Sequence, residues 1–208
     1  MCLCFVVSGN VLFYCVSAGQ LKVFLRLLEL GVQIETDMDS MSLLMEAAYE
    51  GHLDTVRYLV SNARDLRITI NQTDNARRSA LFYAFENSQL PVVQFLLSHG
   101  ARLEPADHNK NVLMCACLKN NITVLKYCLE NLSLLNLTLD DVDDKGRNVL
   151  FYAVTGGNSE ALELLIQAGA CVHSSPDGIN LLMQAAGKKQ LDVGRFVIQV
   201  LKILAHYH

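Results

Sequence analysis

Apolar side chains recur along this chain in a fixed figure. Six blocks begin with a small polar residue and run into apolar ones: Asn10-Val-Leu-Phe-Tyr-Cys-Val, Ser42-Leu-Leu-Met-Glu-Ala-Ala, Ser79-Ala-Leu-Phe-Tyr-Ala-Phe, Asn111-Val-Leu-Met-Cys-Ala-Cys, Asn148-Val-Leu-Phe-Tyr-Ala-Val and Asn180-Leu-Leu-Met-Gln-Ala-Ala. Their leucines are Leu12, Leu44, Leu81, Leu113, Leu150 and Leu182, so a shorter step alternates with a slightly longer one. Each block is followed by a break (Gly19-Gln20, Gly51-His52, Ser88-Gln89, Asn120-Asn121, Gly157-Asn158, Lys189-Gln190) and then by a second apolar segment. In Leu53, Val56, Leu59, Val60 and in Leu90, Val93, Leu96, Leu97 the spacing of three and four predicts one buried face of a helix. Turn-formers such as Asp143-Asp144-Lys145-Gly146 and Ser175-Pro176-Asp177-Gly178 precede the next block. The prediction is helix, break, helix, turn, repeated six times. A period of roughly 20–50 residues indicates a stack of repeats. Such a stack offers an extended surface and needs no active-site cleft.

The repeats alternate. Odd ones read Leu-Phe-Tyr and end on Gly31, Gly100 and Gly169; even ones read Leu-Met, lack that glycine and run five positions longer. Glycine suits a left-handed helix C-cap because it has no Cβ to clash. Even repeats must therefore end their second helix differently, through 63–66 and 132–135, by an extra turn or a bulged connection. The larger period is thus a pair of repeats, present three times.

The pattern resembles the ankyrin repeat, over about residues 9 to 204, most strongly in 42–60. The family's Thr-Pro-Leu-His block is degenerate here: Ser or Asn stands for threonine, the proline is missing, and Phe13, Met45, Phe82, Met114, Phe151 and Met183 occupy the histidine position. Ser and Asn can still cap a helix N-terminus. The Phe and Met side chains cannot take over the histidine's polar role and are expected to pack at the seams between repeats. The resemblance implies an all-α ankyrin-repeat solenoid of about six helix-turn-helix repeats with short finger turns. The expected boundaries are a leader or remnant at 1–8 and repeats near 9–38, 39–74, 75–106, 107–143, 144–174 and 175–208.

Composition changes this picture little. Hydrophobic residues make up 51% of the chain, with only 3 prolines, so the chain is a packed one. A net charge of −4 argues against a nucleic-acid partner. Seven scattered cysteines suit a reducing compartment, the cytoplasm or the nucleus. Cys15 and Cys117 stand at positions where other repeats carry alanine, and read as small buried apolar residues. Sequons at Asn71, Asn121, Asn131 and Asn136 then carry no meaning. The uncharged stretch 1–21 suggests a signal peptide, but it keeps the two-repeat register of the Leu81 and Leu150 blocks and lacks a positive n-region. No membrane partner is expected. The apolar residues of 191–204 go nearly all round the last helix, which leads us to expect further repeats in a longer parent chain, or a covering partner.

The candidate chemistry is thin. There is no phosphate loop or nucleophile elbow. Cys115 and Cys117, two apart on a helix, point away from each other. Asp140–Gly146 fails as a calcium loop, since Tyr152 falls where the glutamate is required, and reads as a solvated acidic turn. Cys171 with His173, and the terminal His206 and His208, read as ordinary surface. No catalytic residue, cofactor or metal is expected. What remains is positional: in the ankyrin pattern the finger and the end of the first helix face a partner. Tyr49, Arg78, Lys110, Lys119, Lys145, Arg147 and Lys188 fall there, and the cations suggest a protein partner with an acidic surface. The expected function is a non-enzymatic protein-interaction scaffold. The alternative is a targeting or regulatory array belonging to a larger enzyme of kinase or ubiquitin-ligase type.

Overall fold

The computed structural model describes residues 10–34, 41–171, 181–187, 192–195 and 197–198, with the side chains of Asn10 and Asp107 excepted. The leader at 1–8, Lys188, His173, His206, His208 and most of 191–204 lie outside the described residues. The helices are α1 (Asn10–Ser17), α2 (Leu21–Glu29), α3 (Leu43–Glu50), α4 (Leu53–Ser61), α5 (Ala80–Glu86), α6 (Leu90–Ser98), α7 (Val112–Leu118), α8 (Ile122–Glu130), α9 (Leu132–Leu135), α10 (Val149–Gly156), α11 (Ser159–Gln167) and α12 (Leu181–Gly187). Among the described residues there is no strand, only an isolated antiparallel bridge between Thr73 and Ser79. No helix among them is long and apolar enough to cross a membrane.

The chain forms two compact units, 1–104 and 105–208. In the first, α1, α3 and α5 pack in series and each is backed by its own second helix, α2, α4 or α6. In the second, α10 lies between α7 and α12 and is backed by α11, while α8 backs α7. The α10 backbone comes so close to α7 that a Cβ on Gly156 would collide with the Cys117 carbonyl. Five of the scheduled leucines, from Leu12 to Leu150, are at most 2% exposed. The sixth is a correction: Leu181 is buried in the last block and Leu182 is only half-buried.

The histidine-position side chains divide. Met45, Phe82, Met114 and Phe151 are buried, at 0%, 3%, 0% and 8% exposure, and so pack as expected. Phe13 is half-buried and Met183 is 60% exposed, which corrects the expectation for those two. Met45 also retains a polar role: its Sδ accepts the Ser42 N–H at 3.3 Å while the Ser42 hydroxyl accepts the Met45 N–H at 3.2 Å. Ser79, Asn111 and Asn148 cap α5, α7 and α10 through the same side-chain acceptor. Each satisfies an N–H that a helix start otherwise leaves without an acceptor.

Odd repeats end as expected. Gly31, Gly100 and Gly169 are left-handed, and the following N–H reaches back to Leu27, Leu96 or Leu165. Even repeats use the same closure one turn later. Arg67 (φ 56°) and Asn136 (φ 52°) take the left-handed place, and Ile68 and Leu137 donate back to Ala63 and Leu132. After α8 the inserted turn is helical enough to form α9. Three sequon asparagines are structural: Asn71 bridges the Gly100 carbonyl and the Arg102 N–H, Asn121 caps α8, and Asn131 Nδ2 donates to the Tyr127 carbonyl.

Phe82→Ala and Phe151→Ala should each cost about 3–5 kcal/mol, the usual range for emptying a well-packed aromatic site. Met183→Ala, at an exposed position, should stay within about 0.5 kcal/mol. Denaturant melts of the three variants check the contrast, and equal midpoints would overturn the seam assignment.

Candidate partner-binding surface

The fingers before α5 and α10 are built on a buried carboxylate. Asp74 and Asp143 have side chains 4% and 1% exposed. A carboxylate removed from water must be paired and fully hydrogen-bonded, and both are. Asp74 Oδ1 accepts the N–H groups of Ala76 (2.9 Å) and Arg78 (2.7 Å); its Oδ2 accepts Arg78 Nε (2.9 Å) and the Tyr83 hydroxyl (2.8 Å). Asp143 repeats the set two repeats further along the chain. Its Oδ1 accepts from the N–H groups of Lys145 and Arg147, and its Oδ2 from Arg147 Nε (2.8 Å), Arg147 Nη2 (2.5 Å) and the Tyr152 hydroxyl (2.6 Å).

Burial pushes the Asp143 carboxyl up, but the Arg147 guanidinium, the Tyr152 hydroxyl and the two backbone N–H groups outweigh it and hold the pKa at about 2. Asp74 behaves likewise: burial raises it, and the Arg78 and Tyr83 hydrogen bonds bring it below the usual carboxylate range. Burial first, and then donation to these carboxylates, push the Tyr83 and Tyr152 hydroxyls up. The expectation of a solvated acidic turn at Asp140–Gly146 is therefore corrected. Asp144 is exposed, but Asp143 is buried, and Asp141 accepts from Thr138 and from Asn111 Nδ2.

Two of the seven expected partner contacts are thus cations already held in ion pairs. The Arg78 side chain is 36% exposed and lies 4.8 Å above the Tyr83 ring. Arg147 is 20% exposed and stacks on Phe151 and Tyr152. Tyr49 is half-buried at the end of α3, edge-on to Tyr83 with centroids 6.1 Å apart, and its carbonyl accepts from Asn87 and Gln89. In the second unit the fingers carrying Lys110 and Lys145 are tied together. The Asp144 N–H donates to the His108 carbonyl (3.1 Å) and Asn109 Nδ2 to the Val142 carbonyl (3.1 Å). His108 and Asn109 are both left-handed in the turn that precedes Lys110. Lys145 is exposed, Lys110 is half-exposed, and Lys119 is exposed at the end of α7. So Lys110 and Lys145 share one paired finger surface, while Tyr49 and Arg78 share another in the first unit.

Sequence reasoning missed Asp74, Tyr83, Asp143 and Tyr152. The signal was an Asp-x3-Arg-x4-Tyr spacing present twice, at the period of the repeat pair. Among the described residues no three His, Cys, Asp or Glu side chains are grouped to hold a metal. Cys15 and Cys117 are buried as expected, and burial pushes the thiols of Cys117 and Cys128 up, the latter to about 12.

Because Asp143 titrates lower folded than its unfolded value of about 3.9, its ion pair stabilises the fold above that pH. That stability drains as the pH falls towards 2. Wild-type thermal melts should drop steeply between pH 4 and pH 2, and Asp143→Asn, already weaker at pH 7, should drop less over that window. Parallel acid slopes for the two proteins would be inconsistent with the buried ion pair.

Comparison with known proteins agrees with this architecture. The family description for ankyrin repeats (3 copies) matches residues 12–107, 66–136 and 113–204. Palmitoyltransferase AKR1 of Lachancea kluyveri is 29% identical over 143 residues, 68% of this chain, and the chain spans only 19% of that protein's length. Among solved structures, the human ASB11 ankyrin repeat domain superposes with a TM-score of 0.74 at 21% identity, covering 91% of this chain and 82% of that one. A chain of the Bdellovibrio bacteriovorus complex of predatory endopeptidase Bd0816 with immunity protein Bd3460 gives 0.73 at 24% identity, covering 91% and 97%. Ankyrin repeats indicate a protein–protein interaction module, and their fold is typically non-catalytic. With the repeat period, the stacked helix pairs and the matched family description in agreement, this chain belongs to the ankyrin-repeat family.

Proposed function

We propose that the chain is a non-enzymatic scaffold that holds a protein partner on its fingers and inner-helix ends, in the cytoplasm or the nucleus. The observation that carries the reading is the pair of tied fingers in the second unit. They present Lys110 and Lys145 on a rigid base, and neither lysine has an ion pair among the described residues. Two ammonium groups on a fixed surface favour a partner with an acidic patch, chiefly through the association rate. Lys119 and Lys188 extend the same proposal. Arg78 and Arg147, held by Asp74 and Asp143, shape the fingers in this reading. The compartment is inferred from the thiols of Cys15, Cys117, Cys128 and Cys171, which form no disulfide.

A second reading is an ankyrin array that serves a larger enzyme. It is favoured by the relative named a palmitoyltransferase, of which the chain spans 19%. Reading the genomic frame on both sides of this sequence tests it: a continuous frame into a catalytic domain supports it, and stop codons close to both ends overturn it.

For the scaffold reading, the probe is a fluorescein-labelled peptide of alternating Glu and Gly. Lys110→Glu with Lys145→Glu should slow its association several-fold, and added salt should reduce the wild-type rate towards that of the variant. The melting midpoint should stay unchanged. Arg147→Glu should instead melt early, because it strands a buried carboxylate at a cost of about 3–5 kcal/mol. Stopped-flow traces indifferent to both the reversal and the salt would remove the two lysines from the binding surface.

A further inference from the structure

The first unit contains a nearly covered carboxylate whose side chain has no partner among the described residues. Glu46, in the middle of α3, is 7% exposed; its backbone N–H donates to the Ser42 carbonyl, and its side chain makes no hydrogen bond or ion pair among the described residues. Yet no fully buried side-chain oxygen among those residues lacks a hydrogen bond. The Glu46 carboxylate therefore keeps a narrow contact with solvent while the residue as a whole is covered.

Its register explains the missing partner. Glu46 stands two residues after Leu44, as Tyr83 stands after Leu81 and Tyr152 after Leu150. Those tyrosines reach a finger aspartate that an arginine neutralises. In the second repeat Met41 occupies the arginine position, so that finger offers no guanidinium. Arg78, the cation of the neighbouring finger, is held by Asp74 and lies over Tyr83.

Aromatic and acidic residues hold the register positions next to Glu46 on α1 and α3. Tyr14 holds the same register on α1, which packs against α3, and is 66% exposed. Tyr49 and Glu50 follow Glu46 by three and four residues, on the same helix face. Tyr49 is half-buried, with its ring fixed edge-on against Tyr83, and Glu50 is exposed. Two carboxylates and two tyrosine rings supply what a guanidinium or ammonium binds: a charge-assisted hydrogen bond and the negative face of a ring. We infer that the Tyr14–Glu46–Tyr49 face of the first unit takes a lysine or arginine side chain of a protein partner. The inference rests on the protein-binding reading and adds to it a second contact of opposite charge.

The test uses the full chain and a fluorescein-labelled Gly-Ser peptide carrying three arginines, with a citrulline version as the uncharged isostere. Fluorescence anisotropy should show the arginine peptide binding at least tenfold more tightly than the citrulline one. Glu46→Gln should abolish that preference, and Tyr14→Ala, at an exposed site where folding is safe, should weaken it several-fold. Glu163→Gln, which removes one exposed charge from α11, should leave it unchanged. If Glu46→Gln binds as wild type does, or if Glu163→Gln matches its effect, the inference fails. Should Glu46→Gln not fold, Tyr14→Ala and Glu50→Gln decide, and wild-type affinity in both overturns it. Binding of the Glu-Gly peptide through Lys110 and Lys145, with no binding of the arginine peptide, sinks this inference alone. Silence from both peptides counts against the protein-binding reading as well.

Discussion

A carboxylate shut away from water has to be matched group for group, and that constraint shapes the third and fifth fingers of this protein. Asp74 and Asp143 each draw in two backbone N–H groups, a guanidinium and a phenol. The backbone donors bend the finger and the tyrosine, on the first helix, anchors the finger to it. Removing any one donor leaves the carboxylate short, and an unsatisfied buried acceptor costs more than a typical hydrogen bond contributes. So the finger, the arginine and the first helix behave as one element.

The first odd repeat provides a natural contrast. Tyr14 has the register of Tyr83 and Tyr152, but Phe5 and Gly9 stand where the aspartate and arginine would be. Tyr14 is 66% exposed, against 6% and 4% for its counterparts. The same residue type in the same register is a structural anchor in two repeats and open surface in the third. What decides is the presence of the acid and the base, nine and five places upstream.

The stack was legible in the sequence because the leucine schedule and the three-four spacing report burial directly. The helix caps at Ser42, Ser79, Asn111 and Asn148 were legible for the same reason: their chemistry is local. The extra turn of the even repeats followed from the missing glycine, although its left-handed residue, arginine in one copy and asparagine in the other, did not. The finger ion pairs were misread because charge on a turn usually means solvent, and composition alone does not tell a buried aspartate from an exposed one. Only the recurrence of Asp, Arg and Tyr from one repeat pair to the next separates Asp143 from its exposed neighbour Asp144. Exposure at Met183 was hidden for a different reason. Burial at the histidine position depends on the neighbouring repeat, and no local pattern encodes the neighbour.

The pairing of repeats divides the work between them. At the three finger-anchor positions the third and fifth repeats read Asp, Arg, Tyr; the fourth reads Ala106, Lys110, Cys115, and the second reads Asp37, Met41, Glu46. Where the set is complete, the charges cancel one another and the finger is fixed. In the second and fourth repeats, where it is broken, a charge is left over: an anion at Glu46, a cation at Lys110. Each leftover charge sits in a repeat next in sequence to one whose finger is held by its own ion pair. An array built from identical complete repeats would be stable and electrostatically mute. From the second repeat to the fifth, broken and complete sets alternate, so uncancelled charge stands next in sequence to fingers fixed by their own ion pairs.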